Sequence, residues 1–168
     1  MVFLSNFKAA DGLPVIPVYI NGSPQSIEIS TSTLFPVINA ASDTTIHHTV
    51  SASPSSVIAA CDAASLAFKS WRKTTPAHRR ALLLKAADAV ESKMQDIMQA
   101  QINETSCPKE FAAINVRGGV ANMREIAAAT SELRGTVPQR SSRPDGEEIE
   151  GLTIVVREPI GVVLVIPP

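Results

Sequence analysis

The most informative apolar pattern in this chain is the last one. Ile160, Val162, Val163, Leu164, Val165 and Ile166 follow one another with only Gly161 between them, bounded by Pro159 on one side and by Pro167 and Pro168 on the other. A short β-branched run without alternation reads as a strand buried on both faces of a parallel sheet. Such a strand needs neighbours. In open α/β sheets ligands bind beyond the carboxyl ends of the strands, so Pro167 and Pro168 stand where a binding crevice is expected to begin.

Upstream, residues 15–29 alternate about Asn21 and Gly22, a dipeptide that tolerates positive φ at a two-residue hairpin turn. The arms are expected at 18–20 and 27–29, with Pro24 confining the second to an edge. Residues 30–53 are rich in Ser and Thr, and the apolar islands at 34–38 and 46–50 suggest short strands or extended loop.

Ser53-Pro54 and Thr75-Pro76 each pair an N-cap residue with proline at the first helical position. The first helix carries Val57, Ala60, Cys61, Ala64, Ala67 and Phe68 on one face and runs to about Trp71. The second carries Leu83, Ala86, Ala87, Val90, Met94, Ile97 and Met98 and runs to about Asn103. A third is expected from Pro108 to Gly135, where the missing Cβ suits a left-handed stop. Gly118 and Gly119 inside it mark either a break or a place where something packs against bare backbone. Val137-Pro138 and residues 152–156 read as two strands flanking a polar insert at 140–150, an exposed ribbon that is marginal without a partner.

A length of 168 residues suits one domain with a core, and the net charge of −1, from 15 basic and 16 acidic residues, contains no basic run. Nothing in this balance argues for nucleic acid or an acidic membrane surface as partner, and none is expected; a neutral small molecule or another protein surface fits. The start, M-V-F-L-S-N-F-K, has its lysine after the apolar residues and does not read as a signal peptide, and no apolar stretch reaches the ~18 residues of a membrane helix. Cys61 and Cys107 share no C-x-x-C spacing, which fits a reducing, cytoplasmic setting.

Candidate chemistry is sparse. Cys107 stands at a helix start, where the dipole favours a thiolate, but a nucleophile also needs a base and an oxyanion hole. Cys61, on an apolar helix face, reads as a buried inert thiol, and Trp71 as core. His47 and His48, adjacent in a strand, point to opposite faces and suit no single metal. His78, Arg79, Arg80 and Lys85 read as a solvated helix face, and Glu104, Glu147 and Glu148 have no acid–base partner at a telling spacing. No catalytic residue and no metal site is assigned.

One further pattern runs along the chain: N-G at 21–22, F-P-V-I-N at 35–39, A-F-K-S-W-R at 67–72, L-L-L-K-A-A-D at 82–88, E-T-S-C-P at 104–108, L-R-G-T-V-P at 133–138 and R-E-P-I-G-V-V-L-V-I-P-P at 157–168. In this order, from about Val18 onward, the chain resembles the N-terminal portion of NAD(P)-dependent aldehyde dehydrogenases. Within that family it is most similar to the branch acting on aromatic aldehydes such as salicylaldehyde or vanillin.

The resemblance implies an incomplete α/β fold: residues 1–136 as the N-terminal part of a cofactor-binding domain, 137–157 as a β-hairpin oligomerisation arm, and 158–168 as the first strand of a Rossmann-like sheet, truncated. It implies an aldehyde substrate, NAD or NADP as cofactor, and a homo-oligomer or partner chain engaged through residues 135–157. Ile166, Pro167 and Pro168 match positions lining the nicotinamide-riboside side of the cofactor cleft, and Gly118, Gly119 and Asn122 match one wall of the substrate tunnel. The family's oxyanion asparagine, its glutamate and its nucleophilic cysteine match nothing in these residues, so the chain alone is expected to be inactive. The alternatives are a non-catalytic remnant acting as a binding or assembly partner, and a small binding protein with a pocket under the 118–122 helix. A terminal run that is helical, or exposed and alone on a compact fold, is the outcome expected to exclude both the kinship and the missing-half reading.

Overall fold

The computed structural model describes residues 7–25, 34–138, 146 and 151–166. Asn21 and Gly22 adopt φ of 52° and 75° and close a hairpin between β2 (Tyr19–Ile20) and β3 (Ser23–Pro24), as the dipeptide predicts. The second arm is Ser23–Pro24; residues 27–29, where it was expected, lie outside the described residues. Both apolar islands are strands. β4 (Leu34–Ile38) runs antiparallel to β5 (Thr45–Val50), and β1 (Val15–Ile16) pairs parallel to β5 on its other side, giving the order β1-β5-β4.

Four α-helices follow among the described residues. Ser53 Oγ accepts from the Ser56 N–H at 3.1 Å and caps α1 (Pro54–Trp71); Thr75 Oγ1 accepts from the His78 N–H at 3.2 Å and caps α2 (Pro76–Ser92). The single second helix expected to Asn103 is instead two, α2 and α3 (Met94–Thr105), broken at Lys93. There the Ser92 hydroxyl donates to the Ala89 carbonyl and the Lys93 N–H turns back to Val90, so local bonds displace the helical ladder.

α4 (Lys109–Ala129) runs unbroken through Gly118 and Gly119. It ends before Gly135: the Thr130 hydroxyl donates to the Ala127 carbonyl at 2.7 Å and the chain tightens into a 3₁₀ turn, Thr130–Glu132. Glycine is needed at 135 for another reason. A Cβ there would stand 2.7 Å from the Val155 carbonyl oxygen.

The core lies where α2, α3 and α4 meet. Ala112, Val116, Val120 and Ala127 form a buried stripe on α4, Ala87 is buried on α2, and Met98 of α3 joins Ala112 and Val116 with Val90, Met94, Ile97 and Ile102 packed around them. Arg124 clasps Asp88 at 3.0 Å and Glu91 at 2.5 Å across the rim of the α2–α4 contact. α1 buries no residue, which corrects two expectations: Cys61 is exposed and Trp71 is 43% exposed, because among the described elements β2 alone makes more than slight contact with this helix.

The two strands expected about the polar insert reduce, among the described residues, to one antiparallel pair, Thr136 with Val155, joined by two backbone bonds of 2.9 and 2.8 Å. The terminal run is not a strand either. Residues 160–166 are neither helical nor paired and make no hydrogen bond to another described residue. A parallel strand must hydrogen-bond to neighbours and be covered on both faces, and no such neighbour stands beside it among the described residues.

Candidate functional site

The buried stripe of α4 turns its opposite side outward, and Gly118 and Asn122, four residues apart, share that side. Gly118 and Gly119 are exposed, and no atom of a described residue outside the helix backbone lies within 4 Å of where a Cβ on either would be. The described residues therefore supply neither the break nor the close-packed neighbour that the glycine pair suggested. Asn122 is exposed beside them.

The other half of the expected site stands apart from this face. Ile166 is 83% exposed, Gly161 carries a φ of 126° at the start of the run, and Pro167 and Pro168 lie outside the described residues. Since nothing approaches the glycine pair within 4 Å, Ile166 does not close over it.

The Thr136–Val155 pair borders a recess of about 350 Å³ lined by Arg134, Thr136, Val155, Val156, Arg157 and Glu158. Arg134 leans on Glu132 at 3.5 Å, and Glu158 lies 3.9 Å from Arg72, the residue that caps the C-terminus of α1, which ties the start of the terminal segment to the helices. The sequence reading did not single out this recess. Its only signal was Gly135 before an apolar pair.

The thiols offer no catalytic arrangement. Cys107 is half-buried against the Met98, Ala112 and Val116 cluster. Its N–H donates to Thr105 Oγ1 at 3.4 Å. His47 and His48 face different partners, as their alternation requires: His47 Nε2 lies 3.8 Å from Glu104 and His48 Nε2 lies 2.8 Å from Asp11 Oδ2. The Asp11 carboxyl is held below the usual carboxylate range, first by that bond to His48 and then by the Leu13 N–H at 3.0 Å. Glu91 and then Asp88 raise the Arg124 guanidinium further above its already high value. Among the described residues no three His, Cys, Asp or Glu side chains gather as metal ligands, and no helix is long and apolar enough to cross a membrane.

One junction escaped the sequence reading. Asn39 Oδ1 accepts from the Ala41 and Ser42 N–H groups at 3.0 and 2.9 Å and from the Ser106 hydroxyl at 3.0 Å. Its Nδ2 donates to the Asn103 carbonyl at 2.6 Å. Two of the quoted motifs, 35–39 and 104–108, thus meet in space through the residue that ends the first. The turning asparagine was the available signal.

Comparison with known proteins gives this geometry its context. The model of the aldehyde dehydrogenase family matches residues 27–168. A salicylaldehyde dehydrogenase of Pseudomonas putida is 31% identical over 143 residues, covering 84% of this chain and 28% of that protein. A vanillin dehydrogenase of a Pseudomonas species is 32% identical over 153 residues, covering 91% of this chain and 30% of its own. The crystal structure of a salicylaldehyde dehydrogenase from Pseudomonas putida complexed with salicylaldehyde superposes with a TM-score of 0.76 at 27% identity, over 88% of this chain and 29% of that one. The chain thus spans less than a third of the length of the curated relatives it matches.

Exposure of the terminal run is the outcome expected to exclude the kinship, and the exclusion fails. A strand that is interior in a complete sheet is left bare wherever neighbouring strands are not beside it, so exposure of this run does not by itself speak against the fold. With its motifs in order, its fold in agreement and the family model matching residues 27–168, the chain belongs to the aldehyde dehydrogenase family.

Proposed function

We propose that the chain contributes part of the cofactor-binding region of an aldehyde dehydrogenase whose whole protein oxidises an aldehyde, aromatic by its similarity to salicylaldehyde and vanillin dehydrogenases, to a carboxylate. In that reaction the aldehyde and one water give the carboxylate, a hydride passes to NAD or NADP, and two protons are released. On this reading residues 1–136 belong to the cofactor domain, 137–157 are an arm that reaches another subunit of a homo-oligomer, and 158–168 are the first strand of the nucleotide-binding sheet. A cytoplasmic setting accords with two unpaired cysteines.

The observation that carries the reading is the α4 face. A glycine in a helix interior costs roughly 0.5–1 kcal/mol relative to alanine, and this helix places two side by side with no described residue packed against them. Such a face suits close approach by something else. As one wall of a substrate tunnel, Gly118, Gly119 and Asn122 have a use that the rest of the chain does not give them.

The residues present fit the nicotinamide cofactor only in part. Ile166 has a backbone free to bond a riboside, and Pro167 and Pro168 continue from it. No glycine-rich turn opening a helix, the usual cradle for a pyrophosphate, occurs in the sequence. On this reading the chain alone holds no complete cofactor site and, without residues matching the family's cysteine, glutamate and asparagine, is expected to perform no oxidation. The second reading, a non-catalytic assembly partner, draws on the exposed 151–158 segment and its recess.

The test pairs the 168-residue chain with the product of the full reading frame that contains it, assaying NADH formation with benzaldehyde-type aldehydes. Activity in a longer product, and none in the 168 residues, is expected. Hydride transfer by the 168-residue chain would overturn the proposal, and a frame that stops after Pro168 would favour the assembly partner.

A further inference from the structure

We propose that Asn21 is a site of spontaneous covalent modification, at which the backbone nitrogen of Gly22 displaces the side-chain amide as ammonia and an aspartyl or isoaspartyl carboxylate is left. The attack needs a small residue after the asparagine, an amide that nothing holds, and a backbone that can open. Of the asparagines in the sequence only Asn21 is followed by glycine, and with no Cβ on that residue its nitrogen is open to approach. Asn21 and Gly22 are both exposed, and beyond the chain neighbours no atom of a described residue lies within 4 Å of where a Cβ on Gly22 would be. Neither the Asn21 amide nor the Gly22 N–H makes a hydrogen bond to another described residue.

The turn is lightly held. Its arms are two residue pairs, Tyr19 with Pro24 and Ile20 with Ser23, followed by one bond from the Gln25 N–H to the Val18 carbonyl at 2.8 Å. A hairpin this short is marginal, and on opening it Asn21 gives up a left-handed φ of 52°. The other described asparagines lack this freedom. Asn39 is bound through both atoms of its amide, and Asn103 Oδ1 accepts from Gln99 Nε2 at 2.8 Å. Asn115 and Asn122 precede Val116 and Met123 inside α4, where the following N–H belongs to the helical ladder.

In the reaction hydroxide takes the Gly22 amide proton, the nitrogen bonds to Asn21 Cγ, and the Cγ–Nδ2 bond breaks to release ammonia and close a succinimide ring. Water then opens the ring. Opening at Cγ leaves aspartate; opening at the backbone carbonyl leaves isoaspartate, whose main chain runs through the side chain and is longer by a methylene. Amide and water thus become carboxylate and ammonium, with no oxidant or reductant consumed. A lengthened main chain does not suit a two-residue turn. Since β2 is the element that α1 rests on, the change loosens the contact between hairpin and first helix.

This inference is independent of the oxidation reaction, so the two fail separately. The 168-residue chain is incubated in warm, mildly alkaline buffer. Peptide mapping by mass spectrometry locates the converted amide, and transfer of a labelled methyl group by an isoaspartyl methyltransferase counts the isoaspartate. Conversion at Asn21 is expected to run at least about tenfold faster than at Asn39, Asn103, Asn115 or Asn122, to accelerate as the pH rises, and to bring faster amide exchange across residues 19–23. Asn21→Asp, which keeps a turn-forming dipeptide, is expected to lose the early ammonia release. An amide at position 21 that persists, another asparagine that converts first, a rate indifferent to pH, or ammonia release undiminished in Asn21→Asp would each sink the proposal.

Discussion

Val116 and Val120 of α4 are 7% and 3% exposed, whereas Val163 and Val165 near the end of the chain are 61% and 75% exposed. The residue type is the same and the intrinsic wish to leave water is the same. The difference is what each conformation requires of its surroundings. A helix satisfies its own backbone and needs one neighbour along one stripe, which α2 and α3 provide. A central strand needs partners on two edges and cover on two faces, and the described residues provide none of these. Burial is a property of the assembly a segment finds, not of the segment.

The comparison can be broken most directly with one charge in each region. Val116→Asp puts an unpaired carboxylate into the α3–α4 core and is expected to destabilise the helical unit by about 3 kcal/mol or more. Val163→Asp is expected to change the same urea midpoint, followed by circular dichroism, by no more than about 0.5 kcal/mol. Equal effects would show that the terminal run is packed after all. A smaller effect sharpens the boundary of the self-sufficient region: Asn39→Ala strips acceptors from Ala41, Ser42 and Ser106 and is expected to cost roughly 1–3 kcal/mol in that unfolding assay.

Gly135→Ala acts on the other side. Its new Cβ meets the Val155 carbonyl at 2.7 Å, so the Thr136–Val155 pair opens. Faster amide exchange at those two residues, with the helical midpoint unmoved, is the expected signature. The smallest effect is one of pH. The Asp11 carboxyl titrates below its ordinary value in the folded chain, so its contribution is fully present above about pH 4 and fades as the pH falls through the lowered folded value. Asp11→Asn is expected to flatten that acid limb without altering stability's trend at higher pH, as a urea titration repeated at several pH values would read.

Where a local rule suffices, the sequence was legible. Asn21-Gly22 fixed its turn by φ alone, and Ser53-Pro54 and Thr75-Pro76 fixed two helix starts by side-chain capping. The break at Lys93 was hidden because Met94, Ile97 and Met98 continue the apolar face of α2 across it. Gly135 was misread because a glycine after a helix signals a stop, while here it admits a carbonyl from a residue twenty positions on. Cys61 and Trp71 looked like core because the face they share is apolar, yet a face is buried only if something comes to meet it. The candidate site was legible only through family resemblance, since glycines and an asparagine on an outward helix face carry no chemistry of their own.

The tie from Asn39 to Ser106 spans 67 residues. Closing so long a loop costs entropy that grows only slowly with its length, and the knot is fastened at a hairpin turn on one side and a left-handed residue, Ser106 at φ 55°, on the other. The small sheet and the end of α3 consequently share a fate. They come apart in one opening event, and a probe on either reports the melting of both.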